Sequence, residues 1–187
     1  DGDPAARAYA EQAHRSLVDA LAAFSMTIDG LRVLDFGCGT GLLTERLASS
    51  CRAIDAVDTS VAMLAVLDDK VDRNAWTHVS SNRSLSTAGD GYDLSVCSSV
   101  CSFLDDYPDT AAELARRLVP GGAFVQWDWE RDDHDGDPHG LSRAEITGAL
   151  TAAGLDAVEV CVGFELAFGE HTMRPLMGTG RRPHDSL

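Results

Sequence analysis

Residues 33–44, Val33-Leu34-Asp35-Phe36-Gly37-Cys38-Gly39-Thr40-Gly41-Leu42-Leu43-Thr44, join a short apolar run to a helical pattern through three alternate glycines. The run reads as a buried strand, Leu31 to Phe36. Leu43 and Leu47, one helical turn apart, mark a helix over Leu42 to Ser49. Glycine lets the chain turn sharply at such a junction and brings backbone amides close to a ligand. A generic strand-to-helix turn rarely needs three glycines and a preceding acid. The pattern is G-x-G-x-G, not the G-x-G-x-x-G of a dinucleotide-binding turn, because Leu42 stands where that fingerprint needs Gly or Ala.

Outward from this loop the chain alternates strand and helix. Residues 4–24 carry an apolar stripe, Tyr9, Ala13, Leu17, Leu21 and Phe24, on a helix that Pro4 suits at its first turn. Arg52 to Val57 reads as a second strand. Ser60 caps a helix through about Lys70, with Met63, Leu64 and Leu67 facing inward. Trp76 to Ser80 is a weak third strand and Tyr92 to Ser98 a fourth. Asp109 caps a helix to Leu118, ended by Pro120-Gly121-Gly122, and Ala123 to Trp129 is the fifth strand. Ser142 and Glu145 form a capping box on a helix that Gly154 closes, and strands follow near Leu155–Val162 and Thr172–Gly180. Short alternating connections predict a parallel sheet covered on both faces, with the last two strands antiparallel. Ligands of such sheets bind outside the carboxyl ends of the strands, near the topological switch point.

The 187 residues fit a single domain spanning 1–187, and 44% hydrophobic content supports one core. A net charge of −15 opposes nucleic acid and anionic membrane as partners. The opening Asp1-Gly2-Asp3-Pro4 shows no secretory signal and no initiator methionine, and no apolar run reaches membrane-span length. None of the five cysteines belongs to a C-x-x-C pair, which argues for reduced core residues in a cytoplasmic protein over a zinc ribbon or disulfide framework.

The second strand ends in Val57-Asp58-Thr59-Ser60. An acid there, roughly 20 residues beyond the glycine loop, can accept both ribose hydroxyls of an adenosine. It can also simply face a helix dipole. Beside this glycine loop, the ribose reading is the stronger. VLDFGCGTGLLT followed by VDTSVAML closely resembles the first two motifs of class I S-adenosylmethionine-dependent methyltransferases. YDLSVCSSVCSFLDD resembles their fourth-strand motif, LARRLVPGGAFVQWDWE their fifth-strand region, and MRPLMGTGRRP the closing strand of small-molecule members.

This resemblance implies a three-layer, Rossmann-like α/β fold with a seven-stranded sheet in the order 3-2-1-4-5-7-6, strand 7 antiparallel. It implies S-adenosyl-L-methionine as cofactor. Gly37, Cys38, Gly39 and Gly41 would pack on its methionine and ribose portions. Asp35 would hold the loop and the cofactor amino group, and Asp58 the ribose. Thr59 and Met63 would flank the adenine, with Asn82 near its amine, and Cys97 and Ser98 would lie under the methionine part. Family motifs for nucleic-acid or arginine acceptors are missing, so a small-molecule acceptor is expected.

Methyl transfer by in-line displacement needs alignment and exclusion of water more than a dedicated base. The acceptor side is expected from Tyr9 on the first helix, which can cap the site. Ser99, Val100, Ser102 and Phe103 after the fourth strand and Trp129 after the fifth would complete it. Asp128 and Glu130 are the candidate bases, and with Asp105, Asp106, Asp132 and Asp133 they would make an acidic acceptor site. His134 and His139 share an Asp-rich loop, but its spacing fits no metal-binding ladder, so no metal is expected. The competing readings are a non-catalytic adenosyl-cofactor-binding module and a nicotinamide oxidoreductase, the latter opposed by Leu42.

Overall fold

Residues 3–131, 140–168 and 171–184 are described by a computed structural model. The first half of the chain runs α1 (Pro4–Ala23), β1 (Arg32–Phe36), α2 (Leu42–Leu47), β2 (Ala53–Val57), α3 (Val61–Asn74), β3 (Val79–Asn82) and β4 (Tyr92–Ser98). The second runs α4 (Tyr107–Arg116), β5 (Leu118–Asp128), α5 (Arg143–Ala152), β6 (Asp156–Val162), β7 (Leu166–Phe168), β8 (His171–Met173) and β9 (Leu176–Arg181). Seven strands form one sheet in the order β3-β2-β1-β4-β5-β9-β6. Pairing is parallel from β3 to β5, and β9 runs antiparallel to both its neighbours. With β9 as the seventh strand, this is the expected order. The topological switch point lies between β1 and β4.

Side chains alternate along each strand, so one strand feeds both cores. Val33, Leu94, Val96, Val125 and Trp127 face α1 and α2, meeting Ala13, Leu17, Leu21 and Leu47. Leu34, Tyr92, Cys97 and Phe124 face the other way, toward Ala111 and Leu114 of α4 and Ile146 and Leu150 of α5. Leu64 and Leu67 of α3 cover Ala56 of β2. Each fully buried leucine contributes about 1.5–3 kcal/mol relative to exposure. No described helix is long and apolar enough to cross a membrane.

Several elements depart from the sequence reading. Helix α3 runs on to Asn74, where Ala75 closes it in the left-handed region at φ 52° and Trp76 N–H bonds Val71 O at 3.0 Å. Trp76 therefore belongs to the helix cap, and β3 starts three residues later than expected. Helix α4 begins after Asp106, so Asp109 lies in its first turn and does not cap it. Pro120-Gly121-Gly122 sits inside β5, where the register with β4 shifts: Leu118 pairs with Tyr92 and Ala123 with Leu94, so the strand continues past it. The expected last strand, Thr172–Gly180, is split: its first residues belong to β8, paired Leu166 to Met173 with the unforeseen β7, and β9 starts only at Leu176. By contrast, Ser142 and Glu145 do form the capping box of α5, with bonds of 3.2 and 2.7 Å.

Helix α1 is tied to the sheet by a buried polar bond as well as by its apolar stripe. Trp127 Nε1 donates to Ser16 Oγ at 3.0 Å. Ser16→Ala would leave that indole N–H buried without its acceptor, a loss of about 1–3 kcal/mol. Urea denaturation should show a lower midpoint for Ser16→Ala at unchanged slope.

Candidate functional site

A cleft of about 730 Å³ opens at the carboxyl ends of β1, β2 and β4. Its floor is the glycine loop. Gly37 has φ 72°, and a Cβ there would fall 2.5 Å from Cγ2 of Val100, so a side chain is barred by conformation and by contact. Gly39 has φ 55° and nothing within 4 Å of an added Cβ, so it keeps the cleft floor open. The loop is stitched to the end of β2. Gly37 and Cys38 N–H both donate to Val57 O, at 2.8 and 3.0 Å, and Gly39 N–H donates to Asp58 Oδ2 at 2.8 Å. Gly41 N–H turns back to Cys38 O at 2.9 Å. With these amides engaged inside the protein, the loop offers little to a pyrophosphate, which binds through free N–H groups.

Asp58 accepts a second backbone bond, from Ser60 N–H to Oδ1 at 2.8 Å. Each carboxylate oxygen keeps a further lone pair for a hydroxyl in the cleft. Asp35 lies at the base, 1% exposed, and accepts Thr44 Oγ1–H at 2.5 Å. Burial pushes its carboxyl up to about 6; the Thr44 bond opposes this and the charge of Asp58 adds to it. Met63 stands on the rim at 44% exposure, facing the cleft and not the core.

The walls beyond β4 and β5 bring together Tyr9, Ser98, Ser99, Phe103 and Trp129. Ser99 adopts φ 55° and its N–H donates to Trp127 O at 2.8 Å. Its hydroxyl donates to Tyr9 Oη at 3.0 Å. The Tyr9 ring lies 5.6 Å from Trp129, tilted by 50°, and 5.0 Å edge-on from Phe164. Burial pushes the Tyr9 phenol up to about 12.

Six expected site residues stand elsewhere. Cys97 is fully buried on the α4 face of the sheet, because strand alternation turns it away when Ser98 faces the cleft. Asp128 faces the same way. It is fully buried, accepts Ser102 N–H at 3.1 Å, and so braces the turn Cys101–Phe103 without lining the cleft. Burial raises its pKa. Ser102 goes with it, its backbone engaged by Asp128 and its side chain off the walls. Glu130 is exposed and pairs with Arg143 at 3.2 Å on the surface, an interaction of small energy. Thr59 points to solvent. Asn82 ends β3 one strand away, where its carbonyl accepts Asp58 N–H at 3.0 Å.

Asp105 and Asp106 are exposed, and Asp132, Asp133, His134 and His139 lie outside the described residues. Of the described members of the expected acidic wall, Asp105, Asp106, Asp128 and Glu130, none lines this cleft. Among the described residues no cluster of three His, Cys, Asp or Glu could hold a metal ion. Sequence reasoning missed Ala6 and Ala10 of α1 and Met173 of β8, all in the walls. The alanines had a signal, since they flank Tyr9 four residues apart; Met173 had none.

Residues 33–122 match a family model described as a methyltransferase domain. An uncharacterised methyltransferase of Schizosaccharomyces pombe is 31% identical over 104 residues, which is 50% of this chain and 37% of that protein. A ubiquinone biosynthesis O-methyltransferase of Aromatoleum aromaticum is 29% identical over 97 residues, covering 50% of this chain and 42% of its own. This chain thus spans about two fifths of the length of these curated relatives. The crystal structure of the N-methyltransferase NodS from Bradyrhizobium japonicum WM9 superposes with a TM-score of 0.73 at 23% identity, over 98% of this chain and 99% of that one. NodS has also been solved in complex with S-adenosyl-L-homocysteine. At that identity the likeness is one of fold.

Asp35 makes stability depend on pH. Its folded-state pKa of about 6 lies above the ordinary 3.8, so the protonated form is favoured by folding. Its contribution is fully present below about pH 4 and is lost as pH rises through 6, on the order of 3 kcal/mol in all. Asp35→Asn keeps an acceptor for Thr44 and removes the titration. Without ligand, the variant should gain on the wild type in unfolding free energy as pH is raised from 4 to 7.5.

Proposed function

We infer that this chain, a member of the class I S-adenosylmethionine-dependent methyltransferase family, transfers a methyl group from S-adenosylmethionine to a small-molecule acceptor. The observation that carries this reading is the junction of the glycine loop with Asp58 at the switch point. A backbone floor kept open at Gly39 lies 2.8 Å from a carboxylate that retains lone pairs for a diol.

The residues fit the cofactor. Asp58 would hold the ribose hydroxyls, and Met63 would cover one side of the adenine. Asp35 is a buried carboxylate with a hydroxyl neighbour, and the ammonium of a bound amino acid is the cation its site lacks. When bound, S-adenosylmethionine supplies an electrophilic methyl group on a sulfonium. The chain has to align an acceptor with that group and keep water out. Helix α1, which lays Ala6, Tyr9 and Ala10 along the cleft, would contribute to the second. A small acceptor is supported by the modest size of the cleft, about 730 Å³, and by the net charge of −15, which opposes nucleic acid. The curated and solved relatives include both O- and N-methyltransferases, so either atom is compatible with the family. A nicotinamide cofactor is disfavoured by Leu42 and by the engaged loop amides.

S-adenosylhomocysteine at a hundred times its Kd should stabilise the protein by about 2.7 kcal/mol, seen as a raised Tm, and NAD should give no shift. A shift with NAD alone would overturn the reading. Asp58→Ala should cost at least about tenfold in affinity for S-adenosylhomocysteine by calorimetry. It should also lower stability by about 2–4 kcal/mol, because two backbone bonds to a charged acceptor go with it. Unchanged affinity in a folded variant would remove Asp58 from the site.

A further inference from the structure

Beyond the glycine loop the cleft changes character. Its far walls are Tyr9, Val100, Phe103, Trp129 and Met173, all with apolar bodies. The polar atoms set among them include the hydroxyls of Tyr9, Ser98 and Ser99. Two of these are joined, Ser99 Oγ to Tyr9 Oη at 3.0 Å.

Both partners are held in place. The Tyr9 ring is packed by Trp129 and Phe164, with centroids 5.6 and 5.0 Å away. Ser99 is held at φ 55°, an uncommon conformation for a residue with a side chain, by its N–H bond to Trp127 O at 2.8 Å. A conformation of this kind persists only where its surroundings enforce it, and such positions cluster at functional sites. A hydroxyl pair fixed on two rigid elements, with aromatic faces around it, is a device for orienting one heteroatom of a flat molecule.

We propose that the Tyr9–Ser99 hydroxyl pair positions the acceptor, and that the acceptor has a flat apolar body with one uncharged nitrogen or oxygen at the methylated end. This rests on the methyl-transfer reading above. The cleft walls support it. Among the described residues no Lys, Arg or His lines the cleft, whereas Asp3, Asp35 and Asp58 do. An anionic acceptor would find no basic side chain among these described residues to pair with. Burial keeps Tyr9 a neutral phenol up to about pH 12, so it orients by hydrogen bonding and does not act as a base.

The test uses four probes that share a phenyl body: phenol and aniline, uncharged at neutral pH, against benzoate and phenyl phosphate. Binding to the protein saturated with S-adenosylhomocysteine is measured by calorimetry for wild type, Tyr9→Phe and Ser99→Gly. Tyr9→Phe keeps the ring contacts, and Ser99→Gly suits the backbone angle, so both should fold. Phenol and aniline should bind the wild type at least tenfold more tightly than the two anions. Each variant should weaken them about fivefold, the worth of one neutral hydrogen bond, with S-adenosylhomocysteine affinity held within twofold. The proposal is overturned if the anions bind as well as the uncharged probes, if neither uncharged probe binds, or if the variants leave their affinity unchanged. It is also overturned if S-adenosylhomocysteine affinity falls in step, since Tyr9 would then be a cofactor contact. Failure of S-adenosylhomocysteine to bind the wild type is a different result and strikes the methyl-transfer reading itself.

Discussion

The end of β2 grips the glycine loop, and the rest of the site hangs from that grip. Val57 O takes two loop amides and the Asp58 carboxylate takes a third, while its other oxygen starts α3 through Ser60. Without these bonds a loop with three positive-φ glycines would be free to sample many states, since glycine loses more conformational freedom on folding than any other residue. The grip settles where the floor of the cleft lies, where α2 leaves, and where a carboxylate faces a ligand. Asp58 therefore builds the loop as well as facing the cleft, so removing its side chain alters both at once.

How much was legible in the sequence follows from how local each signal is. The strand-loop-helix at 33–44, the strand Tyr92–Ser98 and the Ser142–Glu145 capping box are written in adjacent residues, and they appear as read. The start of β3 was misplaced because the α3 cap uses Ala75 in a left-handed conformation, and alanine gives no warning of it. Pro120-Gly121-Gly122 looks like a turn locally, and only the pairing with Tyr92 and Leu94 makes it part of a strand. The misreading of Asp128 was avoidable. Strand alternation puts Trp127 and Trp129 on one face, so Asp128 between them has to face the opposite layer, among Cys101 and Tyr107. Glu130 and Met173 are placed by tertiary packing between segments distant in sequence, which adjacent residues do not encode.

Helix α1 is bound along its whole length by different means. Its apolar stripe is buried on the sheet, Ser16 receives the Trp127 indole, and near its start Arg46 of α2 reaches both Glu11 at 3.2 Å and the carbonyl of Arg7 at 2.9 Å. Tyr9 adds a fourth tie, to Ser99. The helix is therefore a wall of the cleft as well as part of a core, and its placement relative to β4 is over-determined by bonds to three other elements.

The contact between Gly37 and Val100 divides the chain's scope for change. Val100 packs so tightly on the glycine loop that enlarging either partner displaces the cleft floor. Three residues on, Phe103 is 61% exposed, at the mouth of the same cleft. Variation is therefore blocked at one end of this short segment and tolerated at the other. Change at position 103 would reshape the mouth of the cleft while the glycine floor beneath it stays as it is.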